Sequence, residues 1–218
     1  DGIRDPLWSR GLGDVYKRQI FANEGLPEIP AGFMQAAAEI IRNEGGLVII
    51  DEVQSGFCRT GRWWGYQKIG VEPDIVTMGI PMGNGLPLSA TASTKDLVDQ
   101  YRAQTRYFNT FASSPLQAAT GMAVLKELED RNILHQVAQI GEYLHSELES
   151  YLNKVDFIGD LRSQGLFVGI DWVTDKSSNN PNQDGAVRVV NLCLLYTSPS
   201  PRDQRGAGIP GSALKKKG

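Results

Sequence analysis

The 218 residues, 41% of them hydrophobic and 22% charged, suffice for one large domain or parts of two, and no apolar run reaches the roughly 20 residues that a bilayer crossing needs. Lysine and arginine number 22 and aspartate and glutamate 25, a formal net charge of −3. That balance disfavours nucleic acid and anionic membrane as partners.

Both ends read as translated DNA. Asp14-Val15-Tyr16-Lys17-Arg18-Gln19 is encodable by GATGTGTATAAGAGACAG, and the reverse complement of that string, read one base along, gives Cys193-Leu194-Leu195-Tyr196-Thr197-Ser198. One element on opposite strands is the signature of a transposon-based sequencing adapter. Ser9 to Gly13 and Pro199 to Asp203 continue it, Asp1 to Asp5 fits an outer primer, and Gln204 to Gly218 reads as index and read-through. Residues 1–19 and 193–218 are therefore expected to be adapter-derived and are set aside from fold reasoning. Taking away their nine basic and four acidic residues leaves 13 basic and 21 acidic over Ile20 to Leu192, a net of about −8. Cys58 then stands alone, which argues for a reducing compartment, and the cytoplasm is the expected location.

Ile20 to Pro30 is rich in turn formers and reads as a strand remnant followed by a loop. Gly32 to Asn43 sets Phe33, Ala36, Ala37, Ile40 and Ile41 at helical spacing, with Gly45-Gly46 as the stop. Leu47 to Ile50 is too short and too β-branched for a helix, so it reads as a buried parallel strand that delivers Asp51 at its carboxyl end. Arg59 to Tyr66 reads as a surface loop with an aromatic anchor. A second strand, Asp74 to Met78, runs into the glycine turn Gly79-Ile80-Pro81-Met82-Gly83-Asn84-Gly85.

Pro87 to Ala92 is expected to be a further strand, and Ser93 or Thr94 to cap a helix ending at Tyr101. Thr105 to Ser114 reads as a polar and aromatic loop, and Ser114-Pro115 opens a helix to about Glu129. Asn132 to Asn153 places Ile133, Val137, Ile140, Leu144 and Leu148 on one helical face. His135 and His145, on that helix, are expected to be solvated, and no metal site is expected. Phe157 to Val173 reads as a hairpin turning at Ser163-Gln164-Gly165, and Gly185 to Leu192 as the start of a last helix.

On the residues alone, Asp51 either turns into solvent at a strand terminus or holds a cationic group of a ligand, and both readings stay open. The Gly79 to Gly85 loop is neither a Walker nor a dinucleotide pattern. Together the motifs say more. Asp51-Glu52-Val53-Gln54-Ser55-Gly56-Phe57, Arg59-Thr60-Gly61, Pro73 to Gly79 and Pro81 to Gly85 closely resemble the class III, pyridoxal-phosphate-dependent aminotransferases. Tyr107-Phe108-Asn109-Thr110-Phe111 and Gly159 to Gly169 look like family segments in the right order, so the resemblance covers Ile20 to Leu192. It is nearest to the alanine-glyoxylate aminotransferase 2-like branch, which includes phospholyases acting on phosphorylated amines.

The resemblance implies an α/β architecture, the pyridoxal-phosphate-dependent transferase fold type I. Residues 20–130 would form part of a large domain with a mainly parallel sheet, and residues 131–192 the start of an α+β C-terminal small domain. It implies that Asp51 pairs with the pyridinium nitrogen of pyridoxal 5′-phosphate, that Val53 packs on the ring face and that Gln54 hydrogen-bonds the ring hydroxyl. Thr110 would reach the phosphate of a neighbouring subunit's cofactor, which makes a homodimer the expected assembly. The implied reaction moves an amino group from an amino acid or amine to a keto acid or aldehyde. The alternatives are a phospholyase and a non-catalytic homologue.

One position departs from the pattern. The family's Schiff-base lysine falls between Gly79 and Pro81, where this chain has Ile80. An isoleucine forms no imine and moves no proton, so the chain as written is expected to be inactive. Lys95, the nearest lysine downstream, lies past a strand at a helix start and is not expected to substitute. A sequencing error, a deliberate trapping change and a degenerate paralogue all account for Ile80, and the first and last are favoured.

Overall fold

The computed structural model describes residues 15–18, 26–110, 112, 114–152 and 154–196. Its first sheet has the order β1-β2-β3-β4, with β1 Val15–Arg18, β2 Val48–Asp51, β3 Ile75–Met78 and β4 Ala90–Ser93. The first three strands run parallel and β4 is antiparallel to β3, so the mainly parallel sheet expected from the resemblance carries one antiparallel edge. β1 lies within the residues set aside above. Its pairing is made by backbone groups, which any extended residues supply at an open strand edge. The expected strand remnant at residues 20–25 lies outside the described residues.

Helix α1, Phe33–Asn43, ends where Gly45 takes φ 76° and Gly46 N–H donates to the Ile41 carbonyl at 2.8 Å. Its buried stripe is Met34 and Ala38, with Ile41 packed beside them, against Val48, Ile50 and Val71. This corrects the stripe read from the sequence, because Phe33 and Ile40 are exposed. Residues 34, 38 and 41 keep helical spacing as well as 33, 37 and 40 do, so only the underlying sheet selects the face. Asp74 then fixes the two central strands at their starts: its Oδ2 accepts from Val48 N–H at 2.8 Å and faces Arg42 at 3.4 Å.

A short helix α2, Tyr66–Ile69, precedes β3, and a 3₁₀ turn, Ile80–Gly83, follows it. Helix α3, Lys95–Gln104, is capped by Thr94, whose hydroxyl accepts from Leu97 N–H at 3.4 Å, and runs three residues past the expected end. Helix α4, Pro115–Asp130, packs on the 3₁₀ turn and on helix α5, Ile133–Leu152. Hairpin strands β5, Ile158–Gln164, and β6, Phe167–Trp172, turn through Gly165 at φ 57°. Helix α6, Gln183–Tyr196, begins under an Asn182 Oδ1 that accepts from Gly185 N–H at 2.8 Å, and continues past the expected Leu192.

The hairpin meets the rest of the chain through backbone. A Cβ on Gly165 would stand 2.5 Å from the Thr60 carbonyl carbon, and one on Gly141 of α5 would stand 2.5 Å from the Gly165 oxygen. Leu166 N–H donates to the Arg59 carbonyl at 3.1 Å, closing this three-way junction. Arg162 of β5 donates Nε–H to the Leu26 carbonyl at 2.8 Å and also pairs with Asp160 and Asp171. That guanidinium holds the Asp171 carboxyl below the usual carboxylate range.

Two expectations for α5 change. Ile140 is exposed, whereas Val137 is buried as expected and Gly141 meets the hairpin's glycine turn, which fits against the small residue. His145 is half-buried with Nδ1 2.9 Å from the Ser163 hydroxyl, while His135 is exposed as expected. Among the described residues no group of His, Cys, Asp and Glu is arranged to hold a metal, and no helix is long and apolar enough to cross a membrane.

Candidate active site at the strand ends

The alternation of β2 sets Val48 and Ile50 on the buried face and Ile49 and Asp51 on the other. Asp51 closes the strand opposite Thr77 of β3, and its Oδ1 accepts from Val53 N–H at 2.9 Å and from the Thr77 hydroxyl at 3.4 Å. The carboxylate is thus oriented at the carboxyl end of two adjacent parallel strands, where open α/β sheets take their ligands. The next residue behaves differently. Glu52 continues the buried face and is fully enclosed.

Glu52 is the residue that the sequence reading passed over. Its Oε2 accepts from the Ser55 hydroxyl at 2.5 Å and from Gly65 N–H at 3.0 Å, and its Oε1 accepts from Tyr66 N–H at 2.8 Å. These bonds draw the 52–66 segment into a closed loop, inside which Phe57 meets Trp64 edge-on at 5.2 Å between centroids. The expected surface loop at Arg59 to Tyr66 is therefore mostly enclosed: Thr60 and Gly65 are buried and, within that stretch, only Arg62 is exposed. Cys58, buried in the same loop, has its thiol pushed up to about 11 by burial. The signal that would have found Glu52 is the strand's alternation carried one residue further.

Val53 turns back over the second strand end. A Cβ on Gly79 would stand 3.3 Å and 3.5 Å from the two Val53 methyl groups, so glycine lets the turn pack directly on Val53. Beyond it Ile80 is 59% exposed and, with Val53 and Gly79, forms one wall of a cleft of about 940 Å³. Residues 86–89 line it further, and Tyr107, Asn109 and Ser114 stand on the rim. No charged side chain lines this cleft among the described residues.

The structure thus brings Asp51, Val53 and Ile80 to neighbouring strand ends. Gln54 follows Val53, half-buried, and does not line the cleft. Thr110 is exposed on the rim between the lining residues Asn109 and Ala112, and Phe111 of the same motif lies outside the described residues. Lys95 is excluded by topology. β4 runs antiparallel to β3 with Ser93 opposite Ile75, so Lys95 lies by the start of β3 whereas Ile80 follows its end, and its ammonium pairs with Asp99. A second cavity, about 550 Å³, lies between residues 26–32 and β5, and none of the selected site residues lines it.

Val53 and a roomy, largely apolar cleft fit the face of a pyridine ring, and the oriented Asp51 carboxylate stands at the neighbouring strand end, outside the cleft's lining. The same cleft offers no cation to its phosphate and, with Ile80, no amine to its aldehyde.

The family model for class III aminotransferases matches residues 19–195. The chain is 43% identical over 164 residues to ethanolamine-phosphate phospho-lyase homolog 1 of Caenorhabditis elegans, covering 74% of this chain and 35% of that protein. It is 39% identical over 157 residues to the mitochondrial alanine–glyoxylate aminotransferase 2 homolog 2 of Arabidopsis thaliana, covering 72% of this chain and 33% of that one. A solved Arthrobacter phospholyase in complex with phosphoethanolamine superposes with a TM-score of 0.77 at 41% identity, over 80% of this chain and 42% of the other. The chain spans about a third of the length of those two curated relatives. With a parallel sheet that delivers an oriented carboxylate beside a glycine turn, and with this extent of likeness, the chain belongs to the class III, pyridoxal-phosphate-dependent aminotransferases of fold type I.

Proposed function

We propose that the full-length protein transfers an amino group from an amino acid or amine to a keto acid or aldehyde, as a homodimer, and that the chain carrying Ile80 binds without catalysing. The observation that carries this reading is Asp51, held by Val53 N–H and Thr77 at the strand end beside the Gly79-Ile80 turn. When bound, pyridoxal 5′-phosphate supplies an electron-withdrawing ring. Asp51 would hold the proton on the ring nitrogen, because an adjacent carboxylate favours the charged form. Val53 would cover the ring face and Gln54 would bond the ring hydroxyl. Thr110, on an exposed rim with Tyr107 and Phe108, would reach the phosphate held by a second copy.

Position 80 is where a lysine would accept and return a proton, and Ile80 has no group to do so. Loading with pyridoxal 5′-phosphate, borohydride reduction and peptide mass analysis test this. The chain as written should gain no pyridoxyl group at residue 80, and Ile80→Lys in the full-length protein should gain one. Turnover by the unaltered chain with labelling at another lysine overturns the reading.

A second reading is elimination of phosphate from a phosphorylated amine, supported by the names of the C. elegans relative and the Arthrobacter complex. Release of ammonia with inorganic phosphate, in place of amino transfer, by the lysine-bearing full-length protein distinguishes it. The non-catalytic homologue is supported by Ile80 alone, and resequencing that codon decides it. A reducing, cytoplasmic setting is proposed from Cys58, a buried thiol outside any disulfide.

A further inference from the structure

The lining of the cleft beside Ile80 does not match a phosphorylated ligand. Among the described residues no lysine, arginine or histidine lines it, and the Asp51 carboxylate lies outside it, bonded to Val53 N–H and the Thr77 hydroxyl. Arg106 is exposed next to the lining residue Tyr107 but does not itself line the cleft. Val53, Met78, Ile80, Leu86, Pro87 and Leu88 make the walls apolar, with Ile80 59% exposed. Two polar groups of the rim are engaged locally: the Asn109 amide donates to the Tyr107 hydroxyl at 3.3 Å, and the Gln117 amide to the Pro87 carbonyl.

From that mismatch we infer that the cleft, as this chain builds it, is a site for uncharged ring compounds that excludes phosphorylated ones. A cleft of about 940 Å³ with mostly apolar walls and a few neutral polar groups has the character of a small-molecule site. An uncharged ring entering it removes the exposed side chain of Ile80 and the neighbouring Val53 and Leu88 from water, which favours binding without any directional partner. A phosphate entering the same space gives up its hydration and meets no cation in return. Ile80 therefore acts on selectivity as well as on reactivity, because it fills with an apolar group a wall position from which a cation could face the ligand. No bond is made or broken, so the bound molecule leaves unchanged.

Equilibrium dialysis of the whole 218-residue chain against a matched pair, naphthol and naphthyl phosphate, tests this, with pyridoxine 5′-phosphate as a phosphorylated pyridine that forms no imine. Naphthol should bind at least about tenfold more tightly than either phosphate. Ile80→Arg puts a cation at an exposed wall position and should raise the affinity for naphthyl phosphate by about tenfold, while that for naphthol stays level or falls. Ile80→Lys serves as a second cation should the arginine variant unfold. An unchanged phosphate affinity in the cation-bearing variant overturns the proposal. It would place naphthol elsewhere, for instance in the apolar groove of about 270 Å³ between α5 and the hairpin. Equal binding of naphthol and either phosphate by the unaltered chain overturns it as well, as does binding of none of the three. Borohydride labelling of the full-length Ile80→Lys protein depends on none of these outcomes, so amino transfer and this proposal fail separately.

Discussion

Along the strand-end wall of the cleft, Glu52 is fully buried with both carboxylate oxygens occupied, and Gly79 is seated on Val53. Across the cleft, on the rim, Phe108 is 82% exposed, and Tyr107 meets Tyr101 at 6.4 Å between centroids and accepts from the Asn109 amide at 3.3 Å. Both regions serve one cavity, yet the wall is completed by this chain's own loops whereas the rim presents aromatic surface outward. The difference teaches which half of the site a single copy stabilises. In the proposed reading, groups for the ring would come from a self-sufficient wall, and those for the phosphate from a rim whose exposed aromatics are suited to burial against another surface.

Three substitutions probe that contrast. Glu52→Ala strands the Ser55 hydroxyl and the Gly65 and Tyr66 amides in a dry interior, where each unpaired group costs about 1–3 kcal/mol, so a loss of about 3 kcal/mol or more is expected. Urea unfolding measures it, and a loss under about 1 kcal/mol would show that the wall is not self-sufficient. Gly165→Ala places a methyl 2.7 Å from the Arg59 carbonyl oxygen at a left-handed backbone, with an expected cost of about 2 kcal/mol. Faster hydrogen exchange at Leu166 N–H, which bonds that oxygen, would locate the damage at the loop. Phe108→Ser should change monomer stability by less than about 0.5 kcal/mol, because the ring is 82% exposed among the described residues. Gel filtration of the full-length protein on dilution should show the proposed dimer weakened; an unchanged assembly would assign the rim another use.

Local pattern made much of this legible. The four apolar residues before Asp51, the glycines around Ile80 and the Gly45-Gly46 stop each act within one turn or strand, and the structure keeps each of them. What escaped was long-range. Glu52 sits beside Asp51 in the chain but bonds residues 13 and 14 positions away. His145 was read as solvated because its partner, Ser163, lies 18 residues on, across a hairpin. The face of α1 is turned by about a residue from the expected one, since periodicity fixes a stripe's spacing and not the direction it faces, whereas on α5 only Ile140 of the expected stripe is exposed.

The amino-acid order by itself determined the family motifs, the carboxylate at a strand terminus and the missing lysine, because these depend on residue identity at fixed short spacing. Only the folded chain decided that β4 turns back antiparallel and carries Lys95 away from Ile80, that Glu52 locks the loop, and that Gly165 lets the hairpin touch it. Strand direction and backbone contact arise from packing elements distant in sequence, where many arrangements satisfy the same local pattern and the buried polar groups admit few of them.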